Sequence, residues 1–226
     1  MTEPSLENRR PIKSRASGWA QGSARVLAKA GASPNMISGA SVAFAALGGA
    51  LMALAGVSSP GARGAALIAA AACVQLRLVC NLLDGLVAVE FKRGSTSGPI
   101  WNELPDRFSD ALFLAGAGAC AYGSIHPQIG VSLGWIAAVL AVTTAYVREL
   151  GRGLGLPADF SGPMAKPQRM ATLTATCVIA AFEPLWGGRG EIVLLGLAVI
   201  VAGTALTIAR RTRTIARALA ERGRAA

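Results

Sequence analysis

The sequence predicts an all-α, polytopic membrane protein, with six transmembrane helices preceded by an amphipathic surface helix. Three observations lead there. Of the 226 residues, 53% are hydrophobic and only 15% are charged. The apolar residues gather into runs of about 20, the length that crosses a bilayer as a helix. The charges fall between those runs, and the basic ones favour alternate gaps. The first strongly apolar run begins only near Pro34, after a polar and basic stretch. That is too late and too long for a cleaved signal peptide.

The elements follow in chain order. Residues 1–13 form a polar amino-terminal segment. Residues 14–31, "SRASGWAQGSARVLAKAG", repeat Ala16, Trp19, Ala20, Ser23, Val26, Leu27 and Ala30 at helical spacing, with Arg25 and Lys29 on another face. This predicts a helix lying on an anionic leaflet. Residues 32–210 carry the spans, at 35–57, 63–91, 103–124, 129–151, 168–187 and 191–210. Residues 211–226 read as a disordered basic tail. An even number of spans puts both termini on one side. Eighteen basic residues lie on that side, against Arg63 and Arg189 on the other. The positive-inside bias makes that side cytoplasmic. The Ala, Gly and Arg richness suggests a bacterial cytoplasmic membrane. The net charge of +10 is thus loop charge facing a lipid bilayer, and no nucleic-acid partner is expected.

Smaller features fit the same frame. Cys73, Cys80, Cys120 and Cys177 all lie in apolar runs with no CxxC pair, as core residues do. "GGALMALAG" (48–56) and "AGAGACAYG" (115–123) allow close helix approach, either within the chain or across a dimer face. Trp101 and Trp186 sit near span ends, and His126 is a loop residue beside Pro127.

The segment that calls for chemistry is "NLLDGLVAVE FKRGSTSGPI WNELPDRFSD" (81–110), which places carboxylates beside apolar helices. At about 100° per residue, Arg77, Asn81, Asp84 and Ala88 share a stripe of the second span. Asp106 and Asp110, four apart, share a stripe of the third. The hinge at 91–99 returns the chain, so Asp84 and Asp106 fall at similar depth. Carboxylates crowded there repel one another and lose hydration unless a cation joins them. Oxygen ligands favour Mg²⁺, Mn²⁺ or Ca²⁺, and Mg²⁺ is typically held by a few carboxylates and by substrate phosphates. A proton-relay transporter is the alternative for an intramembrane aspartate.

These residues resemble the CDP-alcohol phosphotransferase (CDP-alcohol phosphatidyltransferase) family. Its signature is D-x2-D-G-x2-A-R, a spacer, then G-x3-D-x3-D. Asp84, Gly85 and Ala88 match the first part, and Asp106 and Asp110 match the paired aspartates. "SPNMIS" (33–38), "VREL" (147–150) and "AKPQR" (165–169) are similar to further family elements. The chain departs at Asn81, Val89 and Asn102, which replace an aspartate, an arginine and a glycine, and its spacer is longer. The resemblance implies a homodimer of six-span protomers. It also implies transfer of a phosphatidyl group from a CDP-diacylglycerol-like donor to an alcohol or alcohol phosphate, with release of CMP. By the same resemblance Asp84, Asp106, Asp110 and Asn81 hold Mg²⁺ or Mn²⁺, and Asp110 ligates or acts as general base. Gly85, Ala88, Asn102 and Arg77 surround the donor nucleotide, with Lys92 a possible replacement for the missing arginine. Glu103 is a candidate to restore the negative charge lost at Asn81. Arg148, Arg152, Lys166 and Arg169 crowd the acceptor side and suit a phosphate on the acceptor. A transporter, or a relative that binds without catalysis, stays open at this point.

Overall fold

The computed structural model describes residues 17–90 and 96–225. Among the described residues there is no strand. The elements are α1 (Gly18–Lys29), α2 (Pro34–Ala55), α3 (Pro60–Glu90), α4 (Gly98–Cys120), α5 (Pro127–Gly153), α6 (Lys166–Ala181) and α7 (Glu191–Ala225), with short 3-10 turns at Ala121–Gly123 and Glu183–Trp186. Helices α2 to α7 alternate in direction. The amino-terminal turns of α2, α4 and α6 and the carboxy-terminal parts of α3 and α5 therefore share one end of the bundle, called here the site end.

Among the described residues, four helices are long and apolar enough to cross a membrane: α2, α3, α5 and α7. The other two expected spans differ for physical reasons. The first turns of α4 carry Glu103, Asp106, Arg107 and Asp110, and α6 has 16 residues.

Small residues set the packing. A Cβ on Gly116 of α4 would lie 2.4 Å from the Gly49 carbonyl oxygen of α2. A Cβ on Gly134 of α5 would lie 2.6 Å from the Gly118 Cα. The two Gly/Ala runs noted in the sequence thus meet each other inside the chain, where backbones approach too closely for any side chain. The core between them is built from Met52, Leu67, Val74, Phe113, Leu114, Met170, Leu173, Leu197 and Ile200. All four cysteines are free, and Cys73, Cys120 and Cys177 are buried.

Two terminal expectations change. The stripe of α1 that packs is Ala20, Ala24 and Ala28, seated on Leu82, Leu83, Leu86 and Val87 of α3, whereas Trp19 and Val26 of the predicted apolar set are exposed. Alanine wins this face because it lets two backbones come close. Residues 1–16 lie outside the described residues. The predicted disordered tail is instead the continuation of α7 through Ala225. "TIARALAERGRA" is rich in Ala, Arg, Leu and Glu, which are strong helix formers. Arg222 also ties this extension down by donating to the carbonyls of Leu154 and Gly155.

Candidate active site

The start of α2 is fixed by its own sequence. Ser33 caps it by accepting from the Met36 amide at 3.2 Å, with Pro34 at the first helical position. One turn on, buried Ser38 donates to the Asp84 carboxylate at 2.7 Å. Asp84 sits on the inner stripe of α3 with Asn81 and Arg77 and is within electrostatic reach of Asp106 and Lys166. Asp106 and Asp110, one turn apart on α4, face the same stripe. The Asn81 amide lies 2.5 Å from Asp106 Oδ1.

Arg77 is the centre of the cluster. It is 0% exposed, and its Nη2 donates to Asp106 Oδ1 at 3.1 Å and to Asp110 Oδ1 at 3.2 Å. From α6, Lys166 pairs with Asp106 Oδ2, and Arg169 reaches Asp110 Oδ2 at 2.5 Å. The segment before α6 is held by α7, where Thr207 accepts from the Met164 amide at 3.0 Å and Arg211 donates to the Ser161 carbonyl at 2.9 Å. Gly162 has φ 125°, and a Cβ there would lie 2.4 Å from Thr207 Cγ2, so that anchor requires glycine. Asp106 and Asp110 therefore share three cations, Arg77, Lys166 and Arg169, while Asp84 is held by Ser38. The arginines of this inner cluster are not saturated: Nε and Nη1 of Arg77 and Nε of Arg169 are buried without a hydrogen-bond partner.

An outer cluster lies on α4 and α5. Glu103 accepts from Arg107 on its own helix and from Arg148 Nη2 at 2.6 Å. Arg148 Nε also donates to Glu149 at 2.9 Å, and Arg152 donates to Glu149 at 2.8 Å. The Arg148 guanidinium stacks 5.3 Å from the centroid of the Phe160 ring.

No protein-family model matches the chain. It is similar to an uncharacterized protein of Aquifex aeolicus (strain VF5), 25% identical over 153 residues, covering 68% of this chain and 71% of that one. Among solved structures it is similar to Mycobacterium tuberculosis phosphatidylinositol phosphate synthase (PgsA1) with CDP-DAG bound. That match has a TM-score of 0.74 at 19% identity and covers 88% of this chain and 94% of that one. The same synthase in complex with manganese and citrate gives a TM-score of 0.72 at 20% identity, over 87% and 88% of the two chains. The chain has the synthase fold.

Within this structure, the expected residues divide. Arg77, Asn81, Asp84, Asp106, Asp110, Lys166 and Arg169 come together. Gly85 and Ala88 follow on α3, both half-buried. Asn102 is exposed on the first turn of α4. Lys92 and Arg93 lie outside the described residues. Arg77 does not line an open nucleotide pocket: it is fully buried and bridges two carboxylates, because two aspartates one turn apart need a cation between them. Glu103 turns to Arg107 and Arg148 and away from the aspartates, so it does not replace the charge missing at Asn81. Arg148 and Arg152 are engaged by glutamates, and Lys166 and Arg169 by aspartates. Asp110 is 1% exposed with both oxygens on guanidiniums. Ser38, Glu149 and Phe160 were not assigned from sequence. Ser38 and Glu149 left a trace, as the serine of "SPNMIS" and the glutamate of "VREL".

Among the described residues, no group of three or more His, Cys, Asp or Glu side chains is placed to hold a metal ion. The oxygens nearest to hand are the Asp84 carboxylate, the amide oxygen of Asn81 and the Asp106 carboxylate, which must give up Arg77 or Lys166 to take a cation. This donor set is too small for a closed protein cage. It does fit a cation of the magnesium type, which takes one or two carboxylates and completes its shell with water and substrate phosphates.

Proposed function

We propose that the protein is an integral membrane CDP-alcohol phosphotransferase. It would move a phosphatidyl group from a CDP-diacylglycerol-like donor to the hydroxyl of an alcohol or alcohol phosphate and release CMP, in phospholipid synthesis. The observation that carries this reading is the convergence of Asp84, Asp106 and Asp110 from two antiparallel helices, beside arginine N–H groups with no partner. The synthase fold, and the CDP-DAG bound to that synthase, support it. We take all six of α2–α7 to cross the bilayer, α4 and α6 being screened from lipid along much of their length by their neighbours, with both termini cytoplasmic. We also take two chains to form a homodimer.

In this reading Asp84, Asp106 and the Asn81 oxygen hold Mg²⁺ or Mn²⁺. When bound, the cation neutralises charge on the donor diphosphate and polarises the phosphorus under attack. The chain's own residues do the rest. Arg77 and Arg169 fix the Asp106 and Asp110 carboxylates and supply N–H donors to an anion. Ser38 orients Asp84. Gly85 and Ala88 leave space for the nucleotide. The acceptor oxygen bonds to the lipid-side phosphorus as the bond from that phosphorus to the CMP oxygen breaks, and the hydroxyl proton passes to a carboxylate. The resemblance assigns that proton to Asp110, which must release one oxygen from Arg77 or Arg169 to receive it.

A non-catalytic relative is the competing reading, favoured by the existing neutralisation of every cluster aspartate that faces a cation. The purified protein, given CDP-diacylglycerol, Mg²⁺ or Mn²⁺ and a panel of alcohols, separates the two. The proposal expects CMP and a new phosphodiester lipid, both lost on chelation. Donor binding without CMP from any acceptor contradicts it.

A further inference from the structure

The outer cluster bears on the acceptor. A phosphate on the acceptor is recognised by guanidinium or ammonium groups whose N–H donors are free, above all by two parallel N–H bonds from one arginine. Arg148, Arg152, Lys166 and Arg169 are the basic side chains that the sequence reading gives that task. Arg148 spends Nε on Glu149 and Nη2 on Glu103, and Phe160 lies against its guanidinium. Arg152 is on Glu149. Lys166 and Arg169 are on Asp106 and Asp110, and the N–H left over on Arg169, its Nε, is buried and is given to the donor diphosphate in the reading above. Along α4 and α5 the charges alternate as Arg107, Glu103, Arg148, Glu149, Arg152. A phosphate set against Arg148 would displace a carboxylate and remain beside it, with like charges in contact. The carboxylates on either side of Arg148 are also more accessible than it is: the Glu103 and Glu149 side chains are 36% and 39% exposed, against 14% for Arg148, while Arg152 at the end of the row is 43% exposed and paired with Glu149. Around Arg148, what the cluster offers an incoming molecule is hydrogen-bond acceptors.

We propose that Glu103 and Glu149 select an acceptor alcohol that carries no phosphate, one whose O–H or N–H groups donate to these carboxylates, and reject its phosphate ester. This deepens the phosphotransferase reading and rests on it. The bond changes are the same: the unphosphorylated acceptor's oxygen binds phosphorus, CMP departs, and the hydroxyl proton goes to a carboxylate.

The test uses the full-length protein in detergent, with CDP-diacylglycerol and Mg²⁺ or Mn²⁺. Acceptors are offered as matched pairs: glycerol and glycerol 3-phosphate, myo-inositol and its 3-phosphate, ethanolamine and phosphoethanolamine, serine and phosphoserine. CMP release gives kcat/KM for each. In the best pair the free alcohol should exceed its ester by about tenfold or more, the size of effect that an added charge repulsion produces. Glu103→Gln and Glu149→Gln, which free Arg148, should each shrink that ratio several-fold, mainly through a lower KM for the ester. A wild-type preference for the ester, or a ratio below about tenfold, overturns the proposal. So does a ratio unmoved in both variants while both remain active. Absence of CMP from every acceptor is a different result: it removes the phosphotransferase reading, and the acceptor proposal falls with it.

Discussion

Both ends of the bundle bury arginine, and they treat it differently. At the end opposite the site, Arg63 of α3 pairs with Glu183 at 3.4 Å, and its other contacts are the Ala55 carbonyl and Cys120 Sγ. Glu183 uses its second oxygen to accept from the Ile192 amide at 3.0 Å. One cation meets one anion, and the pair stitches α2, α3, α4, α7 and the turn after α6 together. At the site end three cations meet two aspartates, Asp84 stands beside them on Ser38, and N–H groups of Arg77 and Arg169 remain over. A buried ion pair kept only for structure gains from saturation, since each orphan donor costs stability. A site that must receive a diphosphate gains from donors held in reserve. The comparison shows where in this fold charge serves packing and where it serves chemistry.

The largest effect expected is at the site end. Asp106→Asn keeps the shape but removes the charge shared by Arg77 and Lys166. CMP release per folded molecule should fall by roughly three orders of magnitude, ~4 kcal/mol of barrier, over and above any loss of folded yield from the charge left on Lys166. A variant with near-normal turnover would take Asp106 out of the reaction. Next comes the direct contrast. Arg77→Met and Glu183→Ala each strand a buried partner, and each should lower stability by about 3–5 kcal/mol in a detergent unfolding titration. Only Arg77→Met should also reduce turnover per folded molecule. If Glu183→Ala reduced it equally, the two ends would not be distinct in role.

The third effect is smaller and tests the frame. Gly116→Ala drives a methyl into the Gly49 carbonyl and should cost about 1–3 kcal/mol, seen as a lower melting temperature. No loss would mean that α2 and α4 can separate freely. Smallest is Ser38→Ala, which removes one hydrogen bond to the Asp84 carboxylate and should cost about 1.5 kcal/mol, the low end for a bond to a charged group. Its kinetic mark is a several-fold rise in donor KM with kcat nearly kept. A kcat collapse would give Ser38 a part in the chemistry.

Local pattern made much of this legible. The apolar periods and the "SPN" cap placed α2, and the spacing of Asp106 and Asp110 put both on one stripe of α4. The turn between α3 and α4 forced Asp84 towards them. What could not be read was pairing over long separations. Glu103 sits two turns from Asp110 on the same helix, and nothing local says that Arg148, 45 residues on, takes it instead. Arg63 looked like loop charge because it lies near a span end. Its partner, Glu183, is 120 residues away, and only the packed bundle brings them together. The helical tail was missed because its arginines suggested a solvated segment, although the same residues are good helix formers.

The central claim is that the aspartates of α3 and α4 receive the diphosphate of a CDP-linked lipid together with a divalent cation. A structure of the purified protein with CDP-diacylglycerol and Mn²⁺ tests it most directly. The account predicts anomalous density for manganese between Asp84, Asp106 and the Asn81 oxygen, with the diphosphate completing its shell and the cytidine along Gly85 and Ala88. A donor bound elsewhere, or a metal site away from these aspartates, would contradict it.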